Sequence, residues 1–400
     1  MKSVERVKAA INFSFPDKIP VWKIGGGDMF DMMMIPPQNW NPGHDESEKG
    51  LFPHAAMDIF IAHGLWEWEK PEWVLKNPMY EGNNWMKFKR EEIDTWGCIW
   101  NRTNELASMG HPGRPSLPNW KNLDKYLEKY TVDPINKSQY SPFFLESAQT
   151  TFKKKYKICI LGHLGPIGTA ANMRGFTNFL LDHKKNPNEL KRLLTHITEW
   201  LIKTMDGWIK YGANPDGFEL IEDLGTQHGP FFSPKIFQKF YEPIFRTIYK
   251  AAHDRGCEIH QHCCGKIDPI IPSLIDWGLD ALELDSPRMT GYPALRQFRG
   301  KIMYWGCVNI QSIYVKNSPE DCEKEVWHMI RNLGTPEGGF GAFFYPEPKV
   351  IKAPIENIQA FKKGIKKYGV YKKVPEHWWD YPILDGWENG KVPPLPPIDL

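Results

Sequence analysis

Residues 257–265 contain the densest group of metal-binding residue types in the chain. They read CEIHQHCCG, so two histidines and three cysteines fall within eight positions. The stretch follows an amphipathic helical pattern and suits a short β-strand, in which alternate side chains share one face. His262 and Cys264 then point the same way, and both can bind one Zn²⁺ at about 2.0–2.3 Å. The spacing therefore predicts a metal site with His262 and Cys264 as ligands.

This cluster differs from the usual structural zinc site, which takes four Cys or His ligands from two paired clusters. Only one cluster is visible, so any further ligand must come from far along the chain. That arrangement favours an open catalytic metal over a closed structural one. Taken singly, each cysteine has a simpler interpretation as a buried, unreactive side chain, and we assign Cys257 and Cys263 to packing.

The bulk composition excludes several classes of protein. The 400 residues include 50 basic and 48 acidic ones, with no strongly basic segment, so nucleic acid is not expected as a partner. No signal peptide and no apolar run of about 18 residues is present, so no membrane association is expected. Seven cysteines grouped around one strand do not form a disulfide framework, and a cytoplasmic location is predicted. The 17 Trp and 22 Phe suggest a pocket for a flat ligand.

Strand and helix patterns alternate along most of the chain. Predicted strands lie at 21–24, 58–62, 158–163, 217–223, 258–264, 281–285, 302–308 and 341–345. Predicted helices lie near 176–183, 189–211, 234–253, 267–277, 292–299, 319–333 and 355–366. Eight strands alternating with helices predict an α/β fold, a (β/α)₈ TIM barrel. A doubly wound open sheet is the alternative, but its phosphate-binding fingerprint is missing.

The remaining segments are predicted to decorate a single barrel domain spanning 1–400. Residues 66–140 are rich in Trp and irregular, and we interpret them as an insertion that caps the barrel mouth. A hairpin is expected within it, at 86–90 and 94–101. The methionine-rich residues 29–34 suggest a loop, and the Pro- and Trp-rich tail 373–400 is expected to wrap the surface.

In a TIM barrel the active site lies at the C-terminal ends of the strands. The predicted strand ends carry a set of ligands, acids and bases that exceeds what a barrel rim needs for stability. They are His163, Glu222, Asp223, His262, Cys263, Cys264, Asp285, Cys307, Asn309, Tyr345 and Glu347.

Several motifs together resemble one family. Residues 222–227 (EDLGTQ), followed by Ser233 and Pro234, resemble the DDLGTQ…SP signature of the uroporphyrinogen decarboxylase superfamily. Residues 262–265 (HCCG) are similar to the HxCG zinc motif of its methyltransferase branch. Other segments that match the family lie at 6–20, 306–311, 338–340 and 354–358. The resemblance covers about 4–368 and implies a (β/α)₈ barrel with one site at its mouth.

Two activities divide this superfamily, and the resemblance favours the second. The decarboxylases need an N-terminal arginine-rich motif that grips tetrapyrrole acetates, whereas residues 23–30 here contain no arginine. The methyltransferases carry His-x-Cys and a distant third ligand, often a Cys, and move methyl groups to or from a cobalamin on a separate corrinoid protein. The matching position here is Glu347, with Cys307 as the competing third ligand. A carboxylate in place of a thiolate leaves a harder zinc, which suits an ether oxygen better than sulfur.

The resulting hypothesis is a zinc-dependent O-demethylase methyltransferase that takes the methyl group of an ether, expected to be aromatic, and passes it to the Co(I) corrinoid of a partner protein. Asp223 is assigned to the leaving oxygen or to orienting a ligand. His260 is assigned as a supporting residue or an alternative ligand. The residues expected to bind substrate are Glu222, Gln227, His228, Trp305 and Tyr345. The alternatives are a methylcobamide:thiol methyltransferase and a non-catalytic barrel relative with a binding role. Homodimerisation is left open.

Overall fold

The computed structural model describes residues 1–23, 26–35, 37, 51–53, 90–102, 110–346, 348–384 and 390–396. The chain divides into two compact units. The first unit comprises Met1–Asp31, Thr150–Cys159 and Pro215–Leu400, and the second comprises Met32–Gln149 and Ile160–Asn214. Each unit is described in turn, and the candidate site lies in the first.

The first unit is built on a sheet that contains nine strands among the described residues. The strands are β1 Val21–Lys23, β2 Gly26–Gly27, β3 Met29–Met32, β8 Tyr156–Ile160, β9 Gly217–Ile221, β10 Glu258–His262, β11 Ala281–Leu284, β12 Met303–Gly306 and β13 Phe340–Phe343. Their order in the sheet is β2-β1-β13-β12-β11-β10-β9-β8-β3. Pairing is parallel from β9 to β13 and from β13 to β1, and antiparallel between β1 and β2. Because β2 and β3 stand at opposite ends of this order yet are joined by Asp28 alone, the sheet closes into a barrel.

The predicted TIM barrel is therefore confirmed, with one strand differing from the prediction. The strand expected at 58–62 lies outside the described residues. Met29–Met32, expected as a loop, is instead β3, and all four of its side chains are buried. A strand that is buried throughout lacks the alternating pattern by which strands are usually recognised. The chain reverses direction between β1 and β2 and needs a glycine at position 27. Gly27 has a left-handed φ of 74°, and a Cβ there would meet the Val21 carbonyl oxygen at 2.4 Å.

Aromatic side chains fill the interior of the barrel. The rings of Trp22 and Trp305 meet edge to face, with centroids 5.4 Å apart. Trp305 Nε1–H donates to His260 Nδ1 at 3.0 Å, and His260 Nε2 lies 2.9 Å from the Tyr156 hydroxyl. Indole nitrogen is only a donor, so Nε2 carries the proton of His260 and donates to Tyr156, which donates in turn to Glu258 at 3.0 Å. A hydrogen-bonded chain thus crosses the barrel interior.

Helices alternate with these strands along the chain. In the first unit they are α1 Ser3–Ile11, α7 Pro234–His253, α8 Ile271–Trp277, α9 Pro287–Thr290, α10 Tyr292–Arg296, α11 Ile313–Lys316, α12 Pro319–Leu333 and α13 Ile355–Tyr368. Their starts follow the expected chemistry. Ser233 and Ser318 cap α7 and α12 by accepting from backbone N–H groups, and a proline follows each cap.

The described part of the C-terminal tail is held by arginine side chains. Arg296 and Arg299 donate to the carbonyl oxygen of Trp379, both at 3.0 Å. Trp378 and Trp379 are themselves buried, and Trp378 meets the ring of Trp327 edge to face at 5.3 Å. The tail contains a short 3-10 helix, Glu376–Trp378, and the arginine side chains supply donors for a carbonyl group that follows it.

The second unit contains a small sheet and several helices. Its strands, in the order β4-β5-β6-β7, are β4 Phe52–Pro53, β5 Arg90–Ile93, β6 Ile99–Arg102 and β7 His111–Pro112. Its helices are α2 Leu123–Tyr130, α3 Pro142–Gln149, α4 Pro166–Arg174, α5 Phe176–Lys185 and α6 Pro187–Lys210. Strands β5 and β6 form an antiparallel hairpin near the predicted one, and Asp94 accepts from Trp100 Nε1 at 2.8 Å beside the turn. None of the described helices is long and apolar enough to cross a membrane.

Candidate metal centre

The predicted ligand pair lies at the C-terminal end of β10. His262 is the last residue of that strand, and Cys264 follows it by two positions. His262 Nε2 and Cys264 Sγ are 3.3 Å apart. Two donor atoms at this separation can both reach one zinc ion at about 2.0–2.3 Å. A nitrogen and a sulfur donor together also match the ligand preferences of zinc.

The neighbouring strand fixes the orientation of the imidazole. Glu283 on β11 stands opposite His262 in the strand register, and its Oε2 accepts a hydrogen bond from His262 Nδ1. The proton is therefore assigned to Nδ1, which leaves Nε2 with a lone pair for a metal. Burial raises the pKa of Glu283 to about 7, although the charge of His262 opposes that shift.

Two aspartates complete the surroundings of the ligand pair. Cys264 Sγ–H donates to Asp285 Oδ2 at 3.2 Å, and Cys264 N–H donates to Asp223 Oδ1 at 2.8 Å. Asp223 Oδ1 also lies 3.6 Å from His262 Nε2. Two candidate ligand groups result, one of Asp223, His262 and Cys264, the other of His262, Glu283 and Asp285. Within each group the donor atoms lie within 4.8 Å of one another.

These donors fit a zinc ion. Burial raises the pKa of the Cys264 thiol, so without a cation the sulfur keeps its proton. A bound metal would take the place of that proton, because the thiolate is the form that binds metals. The carboxylates of Asp223 and Asp285 offer additional oxygen donors within reach.

Sequence reasoning missed Glu283 and two further carboxyl groups in the barrel interior, Asp31 and Glu219. Asp31 on β3 accepts from Trp22 Nε1 at 2.6 Å, and burial raises its pKa to about 6. Glu219, in the middle of β9, stands opposite His260 in register and is buried. The signal that could have revealed Glu219 is a lone acidic residue at the centre of an otherwise apolar strand, GFELI.

The other predicted residues fall into several environments. His260 has both ring nitrogens engaged inside the barrel, which leaves neither free for a metal. Glu222 is fully buried, and its charge adds to burial in raising the pKa of Tyr241 and Tyr249. Trp305 is likewise fully buried.

The residues near the rim are more accessible. Gln227 and His228 lie on an exposed loop, and Gln227 Nε2 donates to Gln311 Oε1 at 3.4 Å. Tyr345 is partly exposed. Cys307 is buried and belongs to neither candidate ligand group found among the described residues, whereas Glu347 lies outside those residues.

Comparisons with known proteins agree with this architecture. The sequence model of the uroporphyrinogen decarboxylase family matches residues 108–368. A solved structure of a methyltransferase from Methanosarcina mazei aligns with a TM-score of 0.54 at 16% identity, covering 92% of this chain and 99% of that one, and so has a similar fold. Dispersin B aligns with a TM-score of only 0.33 at 11% identity, covering 68% of this chain and 81% of that one. A search of curated proteins gives no match.

Proposed function

We propose that this chain, which belongs to the uroporphyrinogen decarboxylase family, is a zinc-dependent methyltransferase that cleaves a methyl ether and passes the methyl group to a Co(I) corrinoid on a partner protein. The observation that carries the proposal is the separation of 3.3 Å between His262 Nε2 and Cys264 Sγ at the end of a barrel strand. The fold similarity to a protein described as a methyltransferase also supports it.

The decarboxylase activity of the same family is not favoured. A tetrapyrrole with several acetate groups needs cationic side chains to bind it, and residues 23–30 contain no arginine. The neighbourhood of His262 is instead rich in carboxyl groups, namely Asp223, Glu283 and Asp285. Such surroundings suit a metal cation better than an anionic substrate.

His262 and Cys264 would hold the zinc, with an oxygen ligand as the third. Glu347 is the sequence-based candidate for that ligand, and Asp223 and Asp285 are carboxylates already beside the pair. A zinc ion with one thiolate and harder oxygen and nitrogen donors would act as a Lewis acid on the ether oxygen.

The residues around the metal have separate tasks in the proposal. Asp223 orients Cys264 through its backbone N–H and lies at the rim, where a leaving oxygen would depart. Gln227 and His228, which lie on an exposed loop, are assigned to substrate contact. Tyr345 is the more accessible candidate for stacking on an aromatic ring, since Trp305 is fully buried.

The test measures bound zinc and methyl transfer in the same variants. Purified protein is mixed with free Co(I) cobalamin and a methoxybenzene, and methylcobalamin formation is followed by absorbance. We expect His262→Ala and Cys264→Ala to lose bound zinc and to reduce transfer at least about 100-fold. Cys263→Ala is the matched control, because Cys263 is adjacent to Cys264 in sequence. Its thiol is buried and accepts a hydrogen bond from the backbone N–H of Leu224.

Two results would contradict the proposal. Zinc content that is equal in the wild type, His262→Ala and Cys264→Ala would remove the metal site and favour a non-catalytic relative. Methylation of a thiol by methylcobalamin, with no aryl ether demethylated, would assign the chain to the thiol methyltransferases.

A further inference from the structure

Three buried N–H groups lie close together where helix α12 meets the C-terminal tail. They belong to Trp327 and Arg331 on α12 and to Trp378 in the tail, residues that are 0%, 1% and 7% exposed. The indole rings of Trp327 and Trp378 meet edge to face, with centroids 5.3 Å apart. The guanidinium carbon of Arg331 lies 4.8 Å from the centre of the Trp327 ring. The three side chains therefore form one small cluster within the first unit.

These three donors have no acceptor among the residues that the structure describes. Trp327 Nε1, Trp378 Nε1 and Arg331 Nε are hidden from solvent and make no hydrogen bond there. The other two nitrogens of Arg331 are occupied, because Nη1 donates to the carbonyl oxygen of Tyr381 and Nη2 to that of Pro382. A buried donor without an acceptor is costly, so the cluster favours a ligand that accepts hydrogen bonds.

Positive charge accumulates beside the same cluster. Arg296 donates to the carbonyl oxygen of Tyr381 at 3.2 Å, and Arg331 donates to that same oxygen. Arg299 donates to the carbonyl oxygen of Arg331 itself, at 2.9 Å. These acceptors are neutral, so they satisfy hydrogen bonds without compensating the charge of the three guanidinium groups.

The negative charge that faces these arginines is small and exposed. In the part of the chain that the structure describes, Asp380 forms ion pairs with them, at 3.5 Å from Arg299 Nη2 and 3.9 Å from Arg296 Nη2. Its side chain is 83% exposed, so water screens its charge. Burial and the charges of Arg296 and Arg299 lower the pKa of Arg331 to about 10. The excess of positive charge and the excess of N–H donors both favour an anion.

We propose that Trp327, Arg331 and Trp378 bind one chloride ion, which fixes the tail to α12. A spherical monoanion accepts from several N–H donors at once and requires no donor or acceptor orientation of its own. Its small size suits donors that are hidden from solvent. A water molecule would satisfy some of the donors but would leave the positive charge uncompensated. The site is independent of the methyltransferase function proposed above.

The buried carboxylate nearest in sequence does not supply this negative charge. Glu325 on α12 is already bound by Arg288, from Nε at 2.8 Å, and by the Tyr292 hydroxyl. Its charge is therefore compensated within α9, α10 and α12, and the three arginines at the tail keep their excess.

Crystals grown with sodium bromide in place of sodium chloride test the position of the ion. Bromide has the charge of chloride, a similar radius and an anomalous X-ray signal. We expect an anomalous peak within hydrogen-bond distance of Arg331 Nε and of at least one of the two indole nitrogens, Trp327 Nε1 and Trp378 Nε1. Crystals of Trp378→Phe, which keeps an aromatic ring but loses the N–H, should have a weaker peak.

Thermal unfolding of the full chain tests binding in solution. Sodium chloride is exchanged for sodium gluconate at constant ionic strength, and the unfolding midpoint is followed by circular dichroism. A ligand that binds only the folded chain raises the midpoint with its concentration. We expect chloride to raise it in the wild type, and the apparent chloride affinity to fall about 10-fold or more in Trp327→Phe and Trp378→Phe.

The matched control is Trp200→Phe in the second unit. Trp200 Nε1 already donates to the carbonyl oxygen of Val132 at 2.7 Å, so this variant loses an indole hydrogen bond that involves no ion. It should have a lower midpoint but the same dependence on chloride as the wild type.

Two results would overturn the proposal. A wild-type midpoint that is equal in chloride and gluconate, or a bromide crystal without a peak at the cluster, would mean that bound water satisfies these donors. An unchanged chloride dependence in both Trp327→Phe and Trp378→Phe would place any bound chloride elsewhere. The bromide crystals of the wild type decide the matter even where a variant fails to fold.

Discussion

The hydrogen bond from His262 Nδ1 to Glu283 decides which nitrogen of that ring is available to a metal. Glu283 is buried, with only 1% of its side chain exposed, so no water competes for the bond. Fixing the ring in this way lowers the cost of ordering His262 when zinc binds. The carboxylate also makes the imidazole a stronger donor to the metal.

Removal of this carboxylate should weaken zinc binding while His262 and Cys264 remain in place. We expect Glu283→Ala to lower zinc affinity by about 10–100-fold, as for other residues that support a metal-binding histidine. Glu283→Gln should lose less, because its amide oxygen can still accept from Nδ1. Competition with a chromophoric chelator measures both, with Glu258→Gln as the control. Unchanged affinity in Glu283→Ala would mean that another group orients His262.

At the scale of single residues, the proximity of His262 and Cys264 could be predicted from the sequence, but the side chains around them could not. The spacing of His262 and Cys264 at the end of β10 is local information. The positions of Asp31, Glu219 and Glu283 beside them depend on the pairing of separate strands, which no local pattern encodes. His260 illustrates the same limit, because its type and spacing matched a ligand while its neighbours across the barrel occupy both nitrogens.

Among the elements, helices α12 and α13 pack closely through a glycine. A Cβ added at Gly364 would meet Val326 Cγ2 at 2.7 Å and the carbonyl oxygen of Glu323 at 2.9 Å. The second contact is to backbone, which cannot move aside as a side chain can. The close approach of the two helices thus explains a glycine in the middle of α13 that helix propensity disfavours.

The variant Gly364→Ala tests whether helix packing or helix propensity has the larger effect on stability at this position. Alanine would gain about 1 kcal/mol in an unhindered helix, but the two contacts should outweigh that gain and leave the variant about 1–3 kcal/mol less stable. Urea unfolding measures the difference. Lys366→Ala, at an exposed position of the same helix, should change stability by less than about 0.5 kcal/mol. A more stable Gly364→Ala would show that the helices can separate at little cost.

Most elements of the barrel were predictable because alternating strands and helices have different hydrophobic periods. Strands β9 to β13 lie at the predicted places, and α7 and α12 have the predicted bounds. The errors have physical causes. Strand β3 is buried on both faces and has no alternation, and Pro166–Arg174 forms a helix with nearly all of its residues buried, so neither pattern has the expected period.

At the scale of the whole first unit, a buried ion pair joins segments that are distant in sequence. Arg288 on α9 donates from Nε to Glu325 on α12 at 2.8 Å, and Tyr292 O–H donates to the same carboxylate at 2.5 Å. Arg288 also reaches the carbonyl oxygen of Lys391 in the C-terminal tail at 3.4 Å. The pair therefore links two helices and the tail.

The charge of Glu325 should make stability depend on pH. Burial alone would raise the pKa of Glu325, but the attraction of Arg288 and its hydrogen bonds outweigh burial and lower that pKa below its usual value. A carboxyl group whose pKa is lower in the folded than in the unfolded state stabilises the fold above its unfolded pKa of about 4.3. This contribution is lost as the pH falls through the lower, folded pKa, since the proton then neutralises the partner of Arg288.

We therefore expect Glu325→Gln to be about 3 kcal/mol less stable than the wild type at pH 7, because it leaves the buried Arg288 charge unpaired. This difference in the free energy of unfolding should become progressively smaller below about pH 4, where the wild-type carboxyl also becomes neutral. Urea unfolding between pH 3 and pH 7 measures the gap, and Glu320→Gln, exposed in the first turn of α12, should stay close to the wild type throughout. A gap independent of pH would mean that shape and hydrogen bonding, rather than charge, hold α9 and the tail against α12.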